Sequence, residues 1–166
     1  MRIPFLAALA LMLSLANPSL SQAGCSDPPV EGADWQRCSF DGLDYSGVNM
    51  PDSRLREASF FRADFSEADL SGIDGYKVKF VSANLQAVNL TDADLVNADF
   101  TNADLKGASL SGANLRDARF YRANLRNADL SGATLDNTDF SFADLSGATW
   151  TDGEYVCREG SVGRCN

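Results

Sequence analysis

The sequence predicts an all-β solenoid of stacked square coils, and three regularities predict it. Phenylalanine recurs every twenty residues, at Phe40, Phe60, Phe80, Phe100, Phe120 and Phe140. Between consecutive phenylalanines the chain falls into blocks of five, each with a small residue usually first and a large apolar residue third. From residue 38 to residue 157 this frame never shifts: every fifth position from 40 to 155 is Phe, Leu, Tyr, Met or Trp, except Gly75.

A repeat of five residues is incompatible with both common regular elements. At about 100° per residue, five residues of a helix advance roughly 500°, so the large apolar residues would not form one stripe. In a flat strand, an odd period would place successive apolar residues on opposite faces. The chain must therefore change direction once in every block.

The fourth and fifth positions of each block supply that change of direction. They hold pairs such as Ser-Gly, Thr-Asp, Lys-Gly and Asp-Asn, which are residue types typical of turns. Positions one and three then face a common core while position two faces solvent, as in a short strand. Four corners close one coil of twenty residues, and stacked coils pair strand on strand, as in other solenoids.

The block A(D/N)LXX, plain in the run ANLQA-VNLTD-ADLVN-ADFTN from residue 83, resembles the repeat of the pentapeptide-repeat family over roughly residues 33–157. The resemblance implies a right-handed quadrilateral parallel β-helix with positions one and three inward. Twenty residues per coil give about six coils and, at about 4.8 Å per coil, a rod roughly 29 Å long. Wall one carries the phenylalanine ladder, and the core columns of walls two, three and four begin at Tyr45, Met50 and Leu55.

Wall four contains the one break in the apolar columns. Gly75 is predicted to leave a void or a bulge there, filled by Ile73 and Val78 or by an inward-turned Tyr76. The same column is predicted to end with Tyr155 in the core.

The chain is predicted to consist of a signal peptide followed by one domain. Residues 1–23 combine Arg2, an apolar run over residues 3–16 and a small-x-small cleavage site at residues 21–23, as in secretory signals. The apolar run is short for a membrane span, so no transmembrane segment is expected in the mature chain. The mature protein is divided into an N-terminal cap (24–37), the β-helix (38–157) and a C-terminal cap (158–166), and is expected to be periplasmic or secreted.

The four cysteines lie at the two ends of the predicted rod. Bridged Cα atoms must lie within about 7 Å of one another, and the two ends are most of the rod length apart. The pairs Cys25–Cys38 and Cys157–Cys165 satisfy that limit, and each would hold a terminal segment over an open solenoid end. The alternative is a lipoprotein acylated on Cys25, which would leave Cys38 without a partner.

No residue pattern in the chain indicates catalysis, a cofactor or a metal. The sequence contains no histidine, which excludes His-based acid–base catalysis, Ser-His triads and His metal sites. Neither a phosphate-binding loop, a dinucleotide glycine motif nor a CxxC pair occurs. The protein is therefore expected to be a non-enzyme without catalytic residues, cofactor or metal.

The acidic composition has two readings. Without Arg2, 13 basic and 23 acidic residues give the chain a net charge of −10. Some pentapeptide-repeat proteins use an acidic rod to mimic duplex DNA and inhibit type II topoisomerases. The favoured reading is that aspartates at position two bond the adjacent turn backbone, and no nucleic-acid partner is expected. These aspartates are Asp44, Asp64, Asp69, Asp74, Asp94, Asp99, Asp104, Asp129, Asp139 and Asp144.

One outward surface is predicted to contact a partner. Aromatic side chains and arginines, which are enriched in binding hot spots, recur on wall one in the blocks ASFFR and ARFYR, three coils or roughly 14 Å apart. An exposed apolar column on a soluble protein also calls for an explanation. This wall-one surface consists of Phe61, Arg62, Val81, Arg119, Tyr121, Arg122 and Phe142. The neighbouring corner with Arg54, Arg56 and Arg116 is an alternative.

The function expected from the sequence is an exported scaffold that presents a rigid surface to another protein. The identity of that protein is not encoded in the pattern, and a homodimer contact through the same surface is an alternative. Two further alternatives are a DNA-mimicking topoisomerase inhibitor and a purely structural envelope protein or lipoprotein.

Overall fold

The architecture is a stack of coils joined by parallel backbone pairing. The computed structural model describes residues 24–166, so the predicted signal segment 1–23 lies outside the described residues. Parallel bridges join residues twenty positions apart, beginning with Asp34–Arg54 and ending with Asp129–Thr149. The twenty-residue period of the sequence is therefore the register of the fold.

Each wall is a very short strand. Within residues 24–166 there is no α-helix and no extended strand, and each block contributes a single bridge residue at its second position. The reason is geometric, because two of every five residues are spent on a corner. The predicted parallel β pairing is present, but the walls are too short to form continuous strands.

Every backbone N–H of a typical block has a partner. In the block 98–102, the first N–H donates to the carbonyl that opens the preceding corner, at 3.0 Å. The second donates to the coil below at 2.9 Å, and the third and fifth to the coil above at 2.8 and 2.9 Å. The fourth donates to the side-chain carboxylate of Asp99 at 2.9 Å. This full pairing explains why the repeat continues without interruption.

The corners require an unusual backbone conformation. All 24 fifth positions from Gly32 to Gly147 have positive φ, and glycine occupies eight of them. The others include Arg62 at 57° and Phe142 at 61°. Positive φ at the third residue of a four-residue turn is what a type II turn requires, and it costs a residue with a Cβ about 1 kcal/mol or more. Coil-to-coil pairing therefore holds many corners in a conformation that these residues disfavour.

The phenylalanine ladder runs through the core as a continuous stack. Neighbouring rings lie 4.7–5.7 Å apart between centroids and within 16° of parallel. Phe60, Phe80, Phe100 and Phe120 are fully buried, whereas the end members Phe40 and Phe140 are 8% and 9% exposed. Small first-position residues, mostly alanine, let the walls approach the ladder closely.

Gly75 produces no bulge in the described structure. The N–H of Gly75 donates to the Asp94 carbonyl at 2.8 Å, so the backbone pairing between coils continues through this residue. A Cβ at this position would lie 2.9 Å from Leu95 Cδ2 and 3.2 Å from Val78 Cγ1. The space is thus occupied by neighbouring aliphatic side chains, while Tyr76 remains outside and packs against Arg56 and Lys77.

The N-terminal end is closed by one aromatic side chain and a disulfide. Trp35 is 1% exposed, packs on Phe40 at 4.3 Å between ring centroids, and donates its indole N–H to the carbonyl of Asp27 at 2.9 Å. Cys25 and Cys38 form a disulfide with Cα atoms 5.5 Å apart. Parallel pairing begins at Asp34, four residues before the expected start of the β-helix.

The C-terminal segment leaves the helical path earlier than expected. The chain turns back after residue 150 and forms the antiparallel bridges Thr149–Val156 and Asp144–Val162. Tyr155 therefore does not enter the core column of wall four and is 44% exposed. The reversal occurs at Gly153, whose φ is 75°.

This returning tail covers two of the four walls. A disulfide between Cys157 and Cys165 and a two-pronged contact from Arg126 to Glu159, at 2.9 Å, fix it over walls two and three. On walls four and one, the upward N–H groups of the last coil have no backbone partner within residues 24–166. These are the N–H groups of Leu135, Asn137, Phe140 and Phe142.

Truncating the ladder at mid-rod is expected to be severely destabilising. Phe100→Ala removes a fully buried ring stacked on both sides and should cost about 3–5 kcal/mol of unfolding free energy. Asp99→Ala, on the outside of the same block, should cost about 1 kcal/mol or less. Urea unfolding followed by tryptophan fluorescence measures both, and equal losses would contradict the assignment of inward and outward positions.

The stability of the rod is expected to fall in acid. Bonds from the N–H and hydroxyl of Ser46 lower the pKa of Asp44 from its ordinary 3.8, and bonds from the hydroxyl and N–H of Ser141 lower the pKa of Asp139. A lowered folded-state pKa gives stability that is present in full above pH 3.8 and is lost as the pH falls through the folded value. Thermal unfolding between pH 7 and pH 2 should show that loss.

The matched variant replaces both carboxylates by amides. Asp44→Asn with Asp139→Asn keeps the acceptor oxygen without the titrating proton, as Asn84 does naturally at 3.3 Å from the N–H of Gln86. We expect somewhat lower stability than the wild type at pH 7, because neutral bonds replace charge-assisted ones, and a smaller loss in acid. An acid loss equal to that of the wild type would contradict the role assigned to the two aspartates.

Candidate functional site

The wall-one surface lies along the corner that joins walls one and two. Its members occupy the second, fourth and fifth positions of wall-one blocks, all of which face outward. Phe61 is 37% exposed and Phe142 is 65% exposed, whereas Val81 and Tyr121 are half-buried. The predicted members therefore share one side of the rod, but they differ in accessibility.

The aromatic side chains form two separate groups on this surface. In the lower group, the Arg62 guanidinium lies 4.7 Å from the centroid of the Phe61 ring. In the upper group, Tyr121 meets Phe142 edge to face at 5.6 Å, and Arg122 lies 5.1 and 6.0 Å from the two ring centroids. Three coils, or roughly 14 Å, separate the groups. Each guanidinium thus rests on an aromatic face, as in cation–π pairs.

The cations of wall one are not neutralised by carboxylates. Within residues 24–166, none of Arg62, Lys79, Arg119 and Arg122 forms an ion pair. The pKa of Asp139 is lowered chiefly by the hydrogen bonds from Ser141. The charge of Arg119 also lowers it, at longer range and by a smaller amount. Arg62 and Arg122 therefore lie beside aromatic rings without a carboxylate partner in residues 24–166.

The alternative surface with Arg54, Arg56 and Arg116 is different. Arg54 pairs with Asp34, Arg56 contacts Asp74 at 3.0 Å, and Arg116 contacts Asp136 at 3.5 Å. Arg37 also pairs with Glu57, at 3.3 Å. The three arginines of this alternative surface thus have carboxylate partners, unlike the cations of wall one.

Wall three contrasts with both. Its outward positions hold Asp52, Asp69, Asp92 and Asp129 and no lysine or arginine, and the fourth positions are small polar residues or proline. The charge of the rod is therefore unevenly distributed, with cations on wall one opposite the most uniformly acidic wall.

The aspartates at position two serve the backbone. All ten of those expected to bond the turn accept a hydrogen bond from the N–H two residues further on, at 2.8–3.5 Å. Where asparagine replaces aspartate, the amide oxygen accepts the same bond, as in Asn89 with Thr91 at 3.1 Å. Asparagine side chains also donate to aspartates one coil below, as Asn84 does to Asp64 at 3.0 Å, which separates like charges along the wall.

One residue of wall one was missed by the sequence interpretation. Lys79 occupies the second position of the block that contains Phe80 and Val81, where most blocks carry aspartate or asparagine. The interruption of the Asp/Asn column at Lys79 and Arg119 was the signal that could have identified it. Because Lys79 and Arg119 stand in place of aspartate or asparagine, the N–H groups of Val81 and Tyr121 lack their usual acceptor.

Wall two carries the one depression that we describe. A shallow depression of about 390 Å³ lies on wall two, lined mainly by polar residues that include Glu67, Gln86, Lys106 and Asn127. Across residues 24–166, no three His, Cys, Asp or Glu side chains group as metal ligands would. None of the described residues belongs to a helix that could span a membrane.

Comparison with protein families matches the pentapeptide repeats, in eight copies over residues 38–74, 79–117 and 113–149. These segments cover more than half of the chain. The chain belongs to the pentapeptide repeat family. Comparison with curated protein sequences finds no match.

Solved structures similar to this pentapeptide repeat protein come from several sources. One is a pentapeptide repeat protein of the Arabidopsis thaliana thylakoid lumen, with 24% identity, 74% of this chain and 75% of that chain covered, and a TM-score of 0.36. Another is Rfr23 from the cyanobacterium Cyanothece 51142, with 24% identity, coverages of 69% and 88%, and a TM-score of 0.35. A third is QnrB1, a plasmid-mediated fluoroquinolone resistance protein, with 21% identity, coverages of 68% and 62%, and a TM-score of 0.34.

Proposed function

We propose that this pentapeptide repeat protein is an exported, non-enzymatic scaffold that binds another protein through the wall-one surface. The observation that carries the proposal is the combination of exposed aromatic rings with cations that have no ion-pair partner in residues 24–166. Aromatic and arginine side chains provide most binding energy in protein interfaces. The rod keeps them in fixed positions, so little conformational entropy is lost on binding.

Export is supported by the ends of the rod. Two disulfides join all four cysteines, and structural disulfides persist in oxidising compartments. Because the Cys25 sulfur is bonded to Cys38, this pairing leaves no thiol for a lipid anchor at that position. We therefore favour a periplasmic or secreted protein over a lipoprotein.

The DNA-mimicking alternative is less well supported. The ten position-two aspartates are engaged by the turn backbone, and lysines and arginines are interspersed on three of the four walls. A mimic of duplex DNA needs closely and regularly spaced negative charge. The acidity of this rod is better explained by its corners.

Partner capture by wall-one variants tests the binding proposal. We expect Phe61→Ser with Tyr121→Ser to reduce capture of the partner from the exported fraction by about tenfold or more, because two hot-spot side chains are removed. A wall-three control, Thr91→Asn with Ser111→Asn, should capture as the wild type does. Mass spectrometry of the captured material provides the measurement, and thermal unfolding confirms that both variants are folded.

The opposite pattern would contradict the surface assignment. If the wall-three variant loses the partner and the wall-one variant keeps it, the binding surface lies elsewhere. If sedimentation shows a dimer that the wall-one variant abolishes, the surface is a contact between copies.

Export can be tested independently of binding. Residues 1–30 fused to alkaline phosphatase should give active enzyme outside the cytoplasm, because that reporter requires disulfides to fold. Replacing Leu11 and Leu13 by Arg should abolish the activity by interrupting the apolar run. Activity that survives this change would contradict the proposed signal.

A further inference from the structure

Two backbone N–H groups on wall one lack the acceptor that the repeat normally supplies. At the fourth position of successive coils, the N–H of Thr101 donates to Asp99 and that of Ser141 to Asp139, both at 2.9 Å. The N–H groups of Val81 and Tyr121 have no acceptor within residues 24–166, because Lys79 and Arg119 occupy the second positions of their blocks. In these two blocks, an N–H donor without an acceptor is therefore accompanied by a cation at the position where other blocks carry an aspartate carboxylate.

Other fourth-position N–H groups within residues 24–166 also lack an acceptor, but no unpaired cation accompanies them. The fourth-position N–H also has no acceptor in the described residues at Glu31, Asp41, Arg56, Ser111, Asp136 and Thr151. In none of these blocks does the second position hold an unpaired cation: Arg54 is paired with Asp34, and the remaining second positions are proline, serine or threonine. The combination of a vacant N–H and an unpaired cation is found at Val81 with Lys79 and at Tyr121 with Arg119.

We propose that these two sites bind two carboxylates of an acidic, extended segment of a partner protein. The inference rests on the proposed function, to which it adds the chemistry of the partner. Each carboxylate would accept the vacant N–H, as the aspartates of other blocks do from within the chain, and would be neutralised by Lys79 or Arg119. Charge-assisted hydrogen bonds of this kind are stronger than neutral ones.

The spacing of the sites specifies the spacing of the carboxylates. Val81 and Tyr121 are two coils apart, or about 9.6 Å. The intervening coil presents Asp99, so the second positions alternate in sign from Lys79 to Arg119. A matching ligand carries acidic groups about 10 Å apart and no acidic group between them.

A polyproline II segment has this geometry. It has three residues per turn and a rise of about 3.1 Å per residue, so residues i and i+3 project from the same side about 9.3 Å apart. Such segments also dock on aromatic side chains, which Phe61, Tyr121 and Phe142 provide around the two sites. The partner segment is therefore inferred to carry acidic residues at every third position.

A nucleic acid does not fit the same pattern. Its closely spaced phosphates would meet Asp99 and Asp139 as well as the cations. The net charge of the chain is also strongly negative, which opposes the approach of a polyanion.

An NMR titration of the oxidised, ¹⁵N-labelled protein tests the inference. The probe is an acetylated eight-residue peptide of prolines with glutamates at its third and sixth positions. We expect the amide signals of Val81 and Tyr121 to shift most and to move downfield, because both gain a charged acceptor. The same peptide with glutamines should bind more weakly by about tenfold or more, and glutamates at the third and fifth positions should also weaken binding.

The variant that closes the sites is Lys79→Asn with Arg119→Asn. Asparagine at position two accepts the N–H from within the chain, as Asn89 does, so the fold should be retained while peptide binding falls by about tenfold or more. Arg54→Asn with Arg116→Asn changes the net charge equally on wall four, and should bind the peptide within about twofold of the wild type.

Four results would overturn the inference. One is equal binding of the glutamate and glutamine peptides, and another is a loss of affinity in the wall-four control as large as in the wall-one variant. The third is binding of duplex DNA, but not of the peptide, that the wall-one variant abolishes. If the peptide does not bind while Phe61→Ser with Tyr121→Ser still abolishes partner capture, the surface is retained and the acidic chemistry is rejected.

Discussion

The corner in every five-residue block is the constraint on which the rest of the structure depends. A wall of three residues is too short to hold a strand by itself, so each block is stable only when the coils above and below satisfy its N–H and carbonyl groups. That mutual dependence fixes the register at twenty residues. It also explains why the fifth position tolerates residues such as Arg62 and Phe142 at positive φ, whose cost is offset by the pairing of the whole coil.

The same constraint accounts for a large share of the acidity of the surface. One N–H in each block points out of the coil at the corner, where no other backbone group can reach it. An aspartate or asparagine two residues earlier accepts it, as Asp99 does for Thr101. The position-two aspartates thus serve the corners of the rod, and the informative positions are those at which this acceptor is missing.

The two ends of the rod are closed in different ways. Trp35 closes the first coil from within, whereas the last coil is covered by a returning tail fixed by Arg126 and a disulfide. The tail protects walls two and three and leaves the upper edge of walls four and one unpaired in the described residues. Partial covering limits end-to-end stacking of coils, which is the usual hazard of an open strand edge.

The sequence by itself determined the period, the inward and outward positions and the cysteine pairs. The period and the inward and outward positions depend on contacts that recur in every block, so a local pattern such as Asp99 before Thr101 is enough to predict them. The cysteine pairs follow from the places of the cysteines at the two ends of the rod. Tertiary structure decided what breaks the repeat. The reversal that exposes Tyr155 depends on the tail pairing with the last coil, and the filling of Gly75 depends on Leu95 one coil above.

The candidate surface was likewise only partly determined by the sequence. Its aromatic and arginine columns followed from the frame, but the pairing of Arg56 with Asp74 and the absence of such a partner for Arg122 in residues 24–166 depend on side-chain reach between coils. The spacing in the sequence predicts which residues share a corner. The rotamers and distances that pair one arginine with a carboxylate, and leave another unpaired, are set only when the coils are stacked.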